Sequence, residues 1–203
     1  MIFNDNQVQD IYKFIIEWLS SKSFGGYARK SDFKYFQKML WQPILEVINN
    51  LMKKEILTKE EKEFLSLTVY DKYIFRILSY NPKAQKYVVE MQEYQSWSSS
   101  IKGLLNIPGM HGDKLLLIGK SDIGINIFGL LKFLKNSGYI YNHNQGYSLD
   151  SINGYIKENE IAYKTSLDKI EKIIVVNSSD LSEYNEKFKR EIPRELWGRK
   201  SFY

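Results

Sequence analysis

One change of texture near residue 67 divides this chain and limits the folds open to it. Before it, apolar positions keep helical spacing. Val8, Ile11, Tyr12, Ile15, Ile16 and Leu19 share one face of residues 7–20. Gly25-Gly26 breaks that pattern, and Ser31-Asp32 suits the N-cap of a helix over 31–54 interrupted near Pro43. Thr58, followed by Glu60, Glu61 and Lys62, opens a shorter helix. After the change, segment 67–78 (LTVYDKYIFRIL) is rich in β-branched and aromatic residues, as strands are. Segment 114–118 reads as a short apolar strand bounded by Gly119, and 159–163 and 170–176 as the last clear strands. Residues 127–137 read as a helix ended by Gly138, 139–149 as a hairpin or loop, and 180–192 as a helix. Helices followed by a mainly β region predict an α+β fold. We expect a single domain over 1–203, with a helical region 1–66 and a mainly β region 67–203.

Composition narrows the chemistry. The chain has no cysteine, so disulfides, thiolate catalysis and cysteine-based zinc sites are excluded. His111 and His143 are its two histidines, too few for a histidine-rich metal site, and no metal is expected. A net charge of +5 suits either simple solubility or attraction to an anionic partner such as NAD, nucleic acid or an acidic protein surface. No apolar run approaches the roughly 20 residues of a membrane span, and the first residues lack the basic start of a signal peptide. A cytoplasmic protein with no membrane partner is the expectation.

Three elements of the β region could carry chemistry. Arg76 lies inside the strand-like YIFRI, where an arginine needs a partner. A pyrophosphate would match its planar fork; a carboxylate or a sheet-edge position would also account for it. Ser96-Trp97-Ser98 puts two hydroxyls on one strand face, although Ser98-Ser99-Ser100 leaves the register open and an ordinary polar turn is an alternative. Glu158-Asn159-Glu160 leads into an apolar strand, and period-two spacing would put both carboxylates on one face with separated pKa values. Glu-x-Glu alone is unspecific, since it recurs at Glu61-Lys62-Glu63.

The approach to the last element is more informative. Leu149, Ser151, Ile152, Gly154, Tyr155, Glu158 and Glu160 are spaced in a way that resembles the loop-and-strand signature of the arginine–serine–glutamate class of mono-ADP-ribosyltransferases, which includes binary actin-modifying toxins and phage-encoded enzymes. Arg76 and Ser96-Trp97-Ser98 precede it in that family's order, and the resemblance covers roughly residues 67–177. Ile77 stands where the family often has a glycine, and Trp97 where it usually has threonine. The resemblance implies an ADP-ribosyltransferase-like split β-sandwich with an N-terminal helical region. It implies NAD as substrate and a target macromolecule, most naturally a protein, as acceptor. It gives Glu160 the central catalytic role, Glu158 the acceptor and a preference for arginine, Arg76 the NAD phosphates, and Ser96 and Ser98 the nicotinamide pocket. Tyr155 would contact the target.

Three rival readings remain at this level, one of them a folded but inactive interaction module. Residues 130–135, then Ser137-Gly138-Tyr139-Ile140 and Gly146-Tyr147-Ser148-Leu149, imitate the recognition helix and wing of a winged-helix nucleic-acid binder, without a clean preceding helix-turn pair. A poly-ADP-ribosyltransferase-like site would need an early histidine, but His111 follows the serine motif.

Overall fold

The computed structural model describes residues 2–21, 36–83, 87–90, 94–107, 111–136, 159–183 and 190–199. These residues form a mixed α+β protein with a mainly antiparallel sheet. The chain divides into two compact units, one drawn from Met1–Val69 and Ile125–Ile156, the other from Tyr70–Gly124 and Lys157–Tyr203.

The first unit is helical. Helix α1 (Asp5–Ser21) buries Val8, Ile11, Tyr12, Ile15, Ile16 and Leu19, the stripe that the sequence spacing predicts. The expected interruption near Pro43 is a π-helical turn, Gln37–Trp41, running into α2 (Gln42–Met52). Pro43 falls in the first turn of α2, where its missing N–H costs no helical hydrogen bond. Ile44, Ile48 and Leu51 are the buried face of α2. Helix α3 (Lys59–Thr68) starts at a capping box. Thr58 Oγ1 accepts from the Glu61 N–H at 3.3 Å, and Glu61 Oε2 accepts from the Thr58 N–H at 2.8 Å. Phe64 stands edge-on to Phe3 at 5.6 Å and to Phe133 at 5.1 Å between ring centroids, which gives this core its aromatic centre.

The second unit is built on the sheet. Its strands are β2 (Tyr73–Ser79), β4 (Tyr94–Ser98), β5 (Asp113–Lys120), β7 (Glu160–Lys164) and β8 (Ile170–Asn177). The short strands β1 (Val69–Tyr70) and β6 (Gly124–Asn126) lie where the chain passes from one unit to the other, and the full order is β1-β6-β7-β4-β2-β5-β8. A separate parallel pair joins β3 (Tyr87–Glu90) to β9 (Trp197–Arg199). Strand β5 is apolar at consecutive positions because both of its faces are covered. Leu115 and Leu117 pack with Ile74, Trp97, Ile161 and Ile173 on one face. Leu116 and Ile118 pack with Leu104, Ile174 and Leu181 on the other. Leu104 belongs to the one-turn helix α4 (Ile101–Leu104) that follows the serine run.

Three element boundaries differ from the sequence expectation. Leu67 and Thr68 end α3 rather than start a strand, because Thr68 lies one turn after Phe64 on the same buried face. Gly119 lies inside β5, at an irregularity in the pairing with β8. A Cβ there would come within 2.8 Å of the Lys169 carbonyl oxygen, so the close approach of that backbone requires glycine. Residues 180–192 are not one helix. A 3₁₀ segment covers Ser178–Glu183, and Glu191 bridges Ile174 at the edge of β8. The edge offers unpaired backbone, and the Val175 and Ile192 N–H groups bond across it to the Arg190 and Ile173 carbonyls at 2.9 and 2.7 Å. Finally, helix α5 (Ile127–Asn136) begins and ends as expected within a residue, whereas 139–149 lies outside the described residues.

Candidate active site

Three of the sequence motifs fall on three neighbouring strands. Glu160 opens β7, Ser96-Trp97-Ser98 lies in β4, and Arg76 lies in β2, with β4 in the middle. The register between β4 and β7 is continuous: Ser98 faces Glu160, Trp97 faces Ile161 and Ser96 faces Ala162. Directly opposed residues share a face, so both serines lie on the face of Glu160, which is 4% exposed. This register also resolves the ambiguity of the serine run. Ser98 is the last strand residue. Its Oγ donates to the Ser100 carbonyl at 2.7 Å and accepts from the Ser100 N–H at 3.3 Å, which turns the chain out of the sheet.

The seam between β4 and β2 is different. It holds a single registered pair, Phe75 with Ser98. Phe75 therefore continues the row of Ser98 and Glu160, and Arg76, the next residue, projects from the opposite face together with Trp97. Beyond the one pair, Arg76 closes the seam with its side chain. Its Nη1 donates to the Ser96 carbonyl at 3.1 Å, and its guanidinium carbon lies 5.9 Å from the centroid of the Trp97 ring. Burial lowers the Arg76 pKa to about 10, and the nearby Glu160 charge opposes that shift. The side chain is half-buried and remains a cation at neutral pH. Of the partners anticipated for Arg76 from the sequence, a carboxylate acts only through this field; the direct partners are a carbonyl and an indole.

Asn159 sets where β7 begins. It adopts φ 51°, a left-handed conformation that asparagine tolerates better than most residues. Its carbonyl accepts from the Ser99 N–H at 2.9 Å, and its side-chain amide donates to Ser100 Oγ at 3.2 Å. Ser100 Oγ also accepts from the Gly103 N–H at 3.1 Å and caps α4. The serine run is thereby tied to the residue before Glu160. The period-two argument for Glu158 and Glu160 does not hold across Asn159, because alternation of faces needs extended backbone and this residue is not extended. Glu158 itself lies outside the described residues, as do Tyr155 and the rest of the loop signature. Asn159 and Ser100, to which the sequence motifs assign no role, hold the candidate site together. Their signal was local: an asparagine at a strand entry and a serine before a helical turn.

A second polar cluster lies toward the other end of β7. Tyr163 donates to Asp122 Oδ1 at 3.1 Å, and Lys169 Nζ lies 3.1 Å from Asp122 Oδ2. Burial and the Asp122 charge push the Tyr163 pKa up, and Tyr94 is pushed up to about 12 by the same two causes. The cluster ties the β5–β6 turn to β7 and to the 3₁₀ segment before β8.

Among the described residues there is no group of three or more potential metal ligands and no helix long and apolar enough to cross a membrane. Compared with protein-family models, curated proteins and solved structures, the chain matches none.

Proposed function

We propose that this chain is a mono-ADP-ribosyltransferase of the arginine–serine–glutamate class, which splits NAD and passes ADP-ribose to an acceptor, most simply an arginine of a target protein. The observation that carries the reading is the adjacency of the glutamate, serine and arginine strands, β7-β4-β2, with a buried Glu160 opposite Ser98. The interrupted β4–β2 seam supports an assignment to the family's split β-sandwich.

In this mechanism the bond between the ribose C1′ and the nicotinamide nitrogen breaks first, and its electron pair neutralises the cationic ring. No general acid is needed. The difficulty lies in the oxocarbenium-like ribose, and a carboxylate in a site shielded from water stabilises that charge. Glu160 takes this role. An acceptor guanidine nitrogen then attacks C1′ and gives up a proton to Glu158. Arg76, which projects from the other sheet face, binds the diphosphate across the single-pair β4–β2 seam, Ser96 and Ser98 shape the nicotinamide side of the pocket, and Tyr155 meets the target.

The test is transfer of label from NAD into lysate proteins, beside a Glu160→Gln variant. We expect transfer and NAD hydrolysis in the wild type and a loss of about 100-fold or more in the variant. Absence of both activities across several lysates would overturn the reading. The winged-helix alternative predicts instead salt-dependent DNA binding indifferent to Glu160. Its recognition helix would be α5, which buries Ile127, Leu130, Leu131, Phe133 and Leu134 and leaves Phe128, Lys132 and Lys135 outward.

A further inference from the structure

Trp97 stands where the family usually has threonine, and its indole raises a question that the catalytic reading leaves open. The residue is 3% exposed, and its buried Nε1–H has no hydrogen-bond partner among the described residues. Removing such a donor from water without compensation costs free energy, so native proteins rarely leave one unfilled without cause. Its nearest charged neighbour is in a similar condition. A guanidinium carries five N–H donors, and among the described residues Arg76 uses one of them, toward the Ser96 carbonyl. The two groups adjoin, with the guanidinium carbon 5.9 Å from the indole centroid.

The surroundings are therefore rich in unfilled donors. They lie at the seam that one backbone pair holds together, so a ligand reaching Arg76 displaces little sheet pairing to reach the indole. What would satisfy both groups is an anionic oxygen with several lone pairs: a carboxylate satisfies one fork, whereas a diphosphate offers acceptors to both donors at once.

We propose that the Trp97 indole N–H is a ligand-binding donor that works beside the Arg76 guanidinium to hold a diphosphate oxygen of a nucleotide. Only the naming of the nucleotide as NAD rests on the function proposed above; the donor pair itself does not. Threonine cannot place a rigid N–H at this reach, so the substitution gives this chain a diphosphate contact of its own.

The experiment follows the indole N–H resonance of Trp97, assigned among the four tryptophans by its loss in Trp97→Phe. Wild-type protein is titrated with ADP-ribose, with inorganic pyrophosphate, and with adenosine as a diphosphate-free control. The expected result is a downfield shift of this one resonance with the first two ligands and none with adenosine. Trp97→Phe keeps the ring beneath Arg76 and removes the donor. It should bind ADP-ribose about tenfold more weakly while melting at or above the wild-type temperature, since an unfilled buried donor is gone. A purely structural role predicts the opposite, a lower melting temperature with unchanged affinity. The proposal is overturned if ADP-ribose binds and the Trp97 resonance stays still, as it would if a fixed water fills the site, or if neither diphosphate binds at all. NAD cleavage with a silent Trp97 sinks this inference alone. A Trp97 shift with pyrophosphate but no NAD cleavage sinks the transferase reading alone.

Discussion

Strand β4 has two seams, and they are closed by different means. Toward β7 it makes five consecutive cross-strand pairs, from Tyr94–Lys164 to Ser98–Glu160. Toward β2 it makes one pair, and the Arg76 guanidinium takes the Ser96 carbonyl in place of backbone. A ladder of backbone bonds fixes its residues and leaves no room between them. A side chain in the same position can exchange its carbonyl for another acceptor. The first seam therefore holds Glu160 in place, and the second is the place where the proposed ligand would meet the least backbone pairing.

If that contrast is right, substitutions on the two seams must fail in different currencies. The largest effect belongs to the closed seam. Ile161→Ala removes a side chain that is 1% exposed in the core under β7, and stability should drop by about 2–5 kcal/mol. Denaturant unfolding measures this, and a loss below about 1 kcal/mol would mean the seam is not closed as described. Asn159→Val comes next. A β-branched residue at φ 51° should cost about 1–2 kcal/mol, and Asn159→Gly should restore most of it because glycine accepts that conformation. Equal stability of the valine and glycine variants would remove the left-handed entry to β7 from the account.

Arg76→Lys probes the open seam. The charge stays, but the planar fork that reaches the Ser96 carbonyl and lies 5.9 Å from the Trp97 ring centroid is lost. Stability should fall by no more than about 1 kcal/mol, while affinity for ADP-ribose falls about tenfold. Calorimetry of unfolding and of binding gives both numbers. A stability loss as large as that of Ile161→Ala would make the guanidinium a structural strut and dissolve the distinction between the seams.

How much of this was legible beforehand follows from the range of each signal. Thr58 with Glu61, the turn at Pro43 and the α1 stripe are local patterns, and each forms its predicted element. The apolar run of β5 was equally plain, since burial on both faces leaves no polar position in its middle, and β8 carries a shorter run after the exposed Glu171 and Lys172. Helix–strand boundaries were less so: Thr68 favours a strand by type, but one more turn of α3 buries it. The site was legible as a set of residues and illegible as geometry. That Glu160, the serines and Arg76 occupy adjacent strands depends on pairings between residues 23 to 70 positions apart, and no local propensity encodes them. The missing pairs between β2 and β4, and the opposite faces of Arg76 and Glu160, had no sequence signal at all. Glu158 was grouped with Glu160 by the resemblance and by period-two spacing; the spacing argument needs extended backbone, which the left-handed Asn159 does not supply, and Glu158 itself lies outside the described residues.

The smallest effect tests whether the closed seam has any support besides its ladder. Asp122 accepts from Tyr163 on β7 and pairs with Lys169 just before β8. Desolvation pushes its pKa up, but the Lys169 hydrogen bond, the Ile123 N–H and the Tyr163 hydroxyl outweigh it, and the net shift is downward. A carboxylate with a lowered folded pKa contributes stability that is complete above its unfolded value, near 4, and is lost as pH falls through the folded value. Wild type should therefore lose this increment only below about pH 4, and Asp122→Asn should lack it at every pH. The Asp122 side chain is 59% exposed, so solvent screens the pair and the neutral-pH difference should stay under about 1 kcal/mol. Unfolding curves for the two proteins should run parallel from pH 8 to pH 5 and converge below pH 4. Convergence shows a seam pinned at its far end by charge as well as backbone. Curves that remain parallel down to pH 2 would leave the five strand pairs as the whole of the closure.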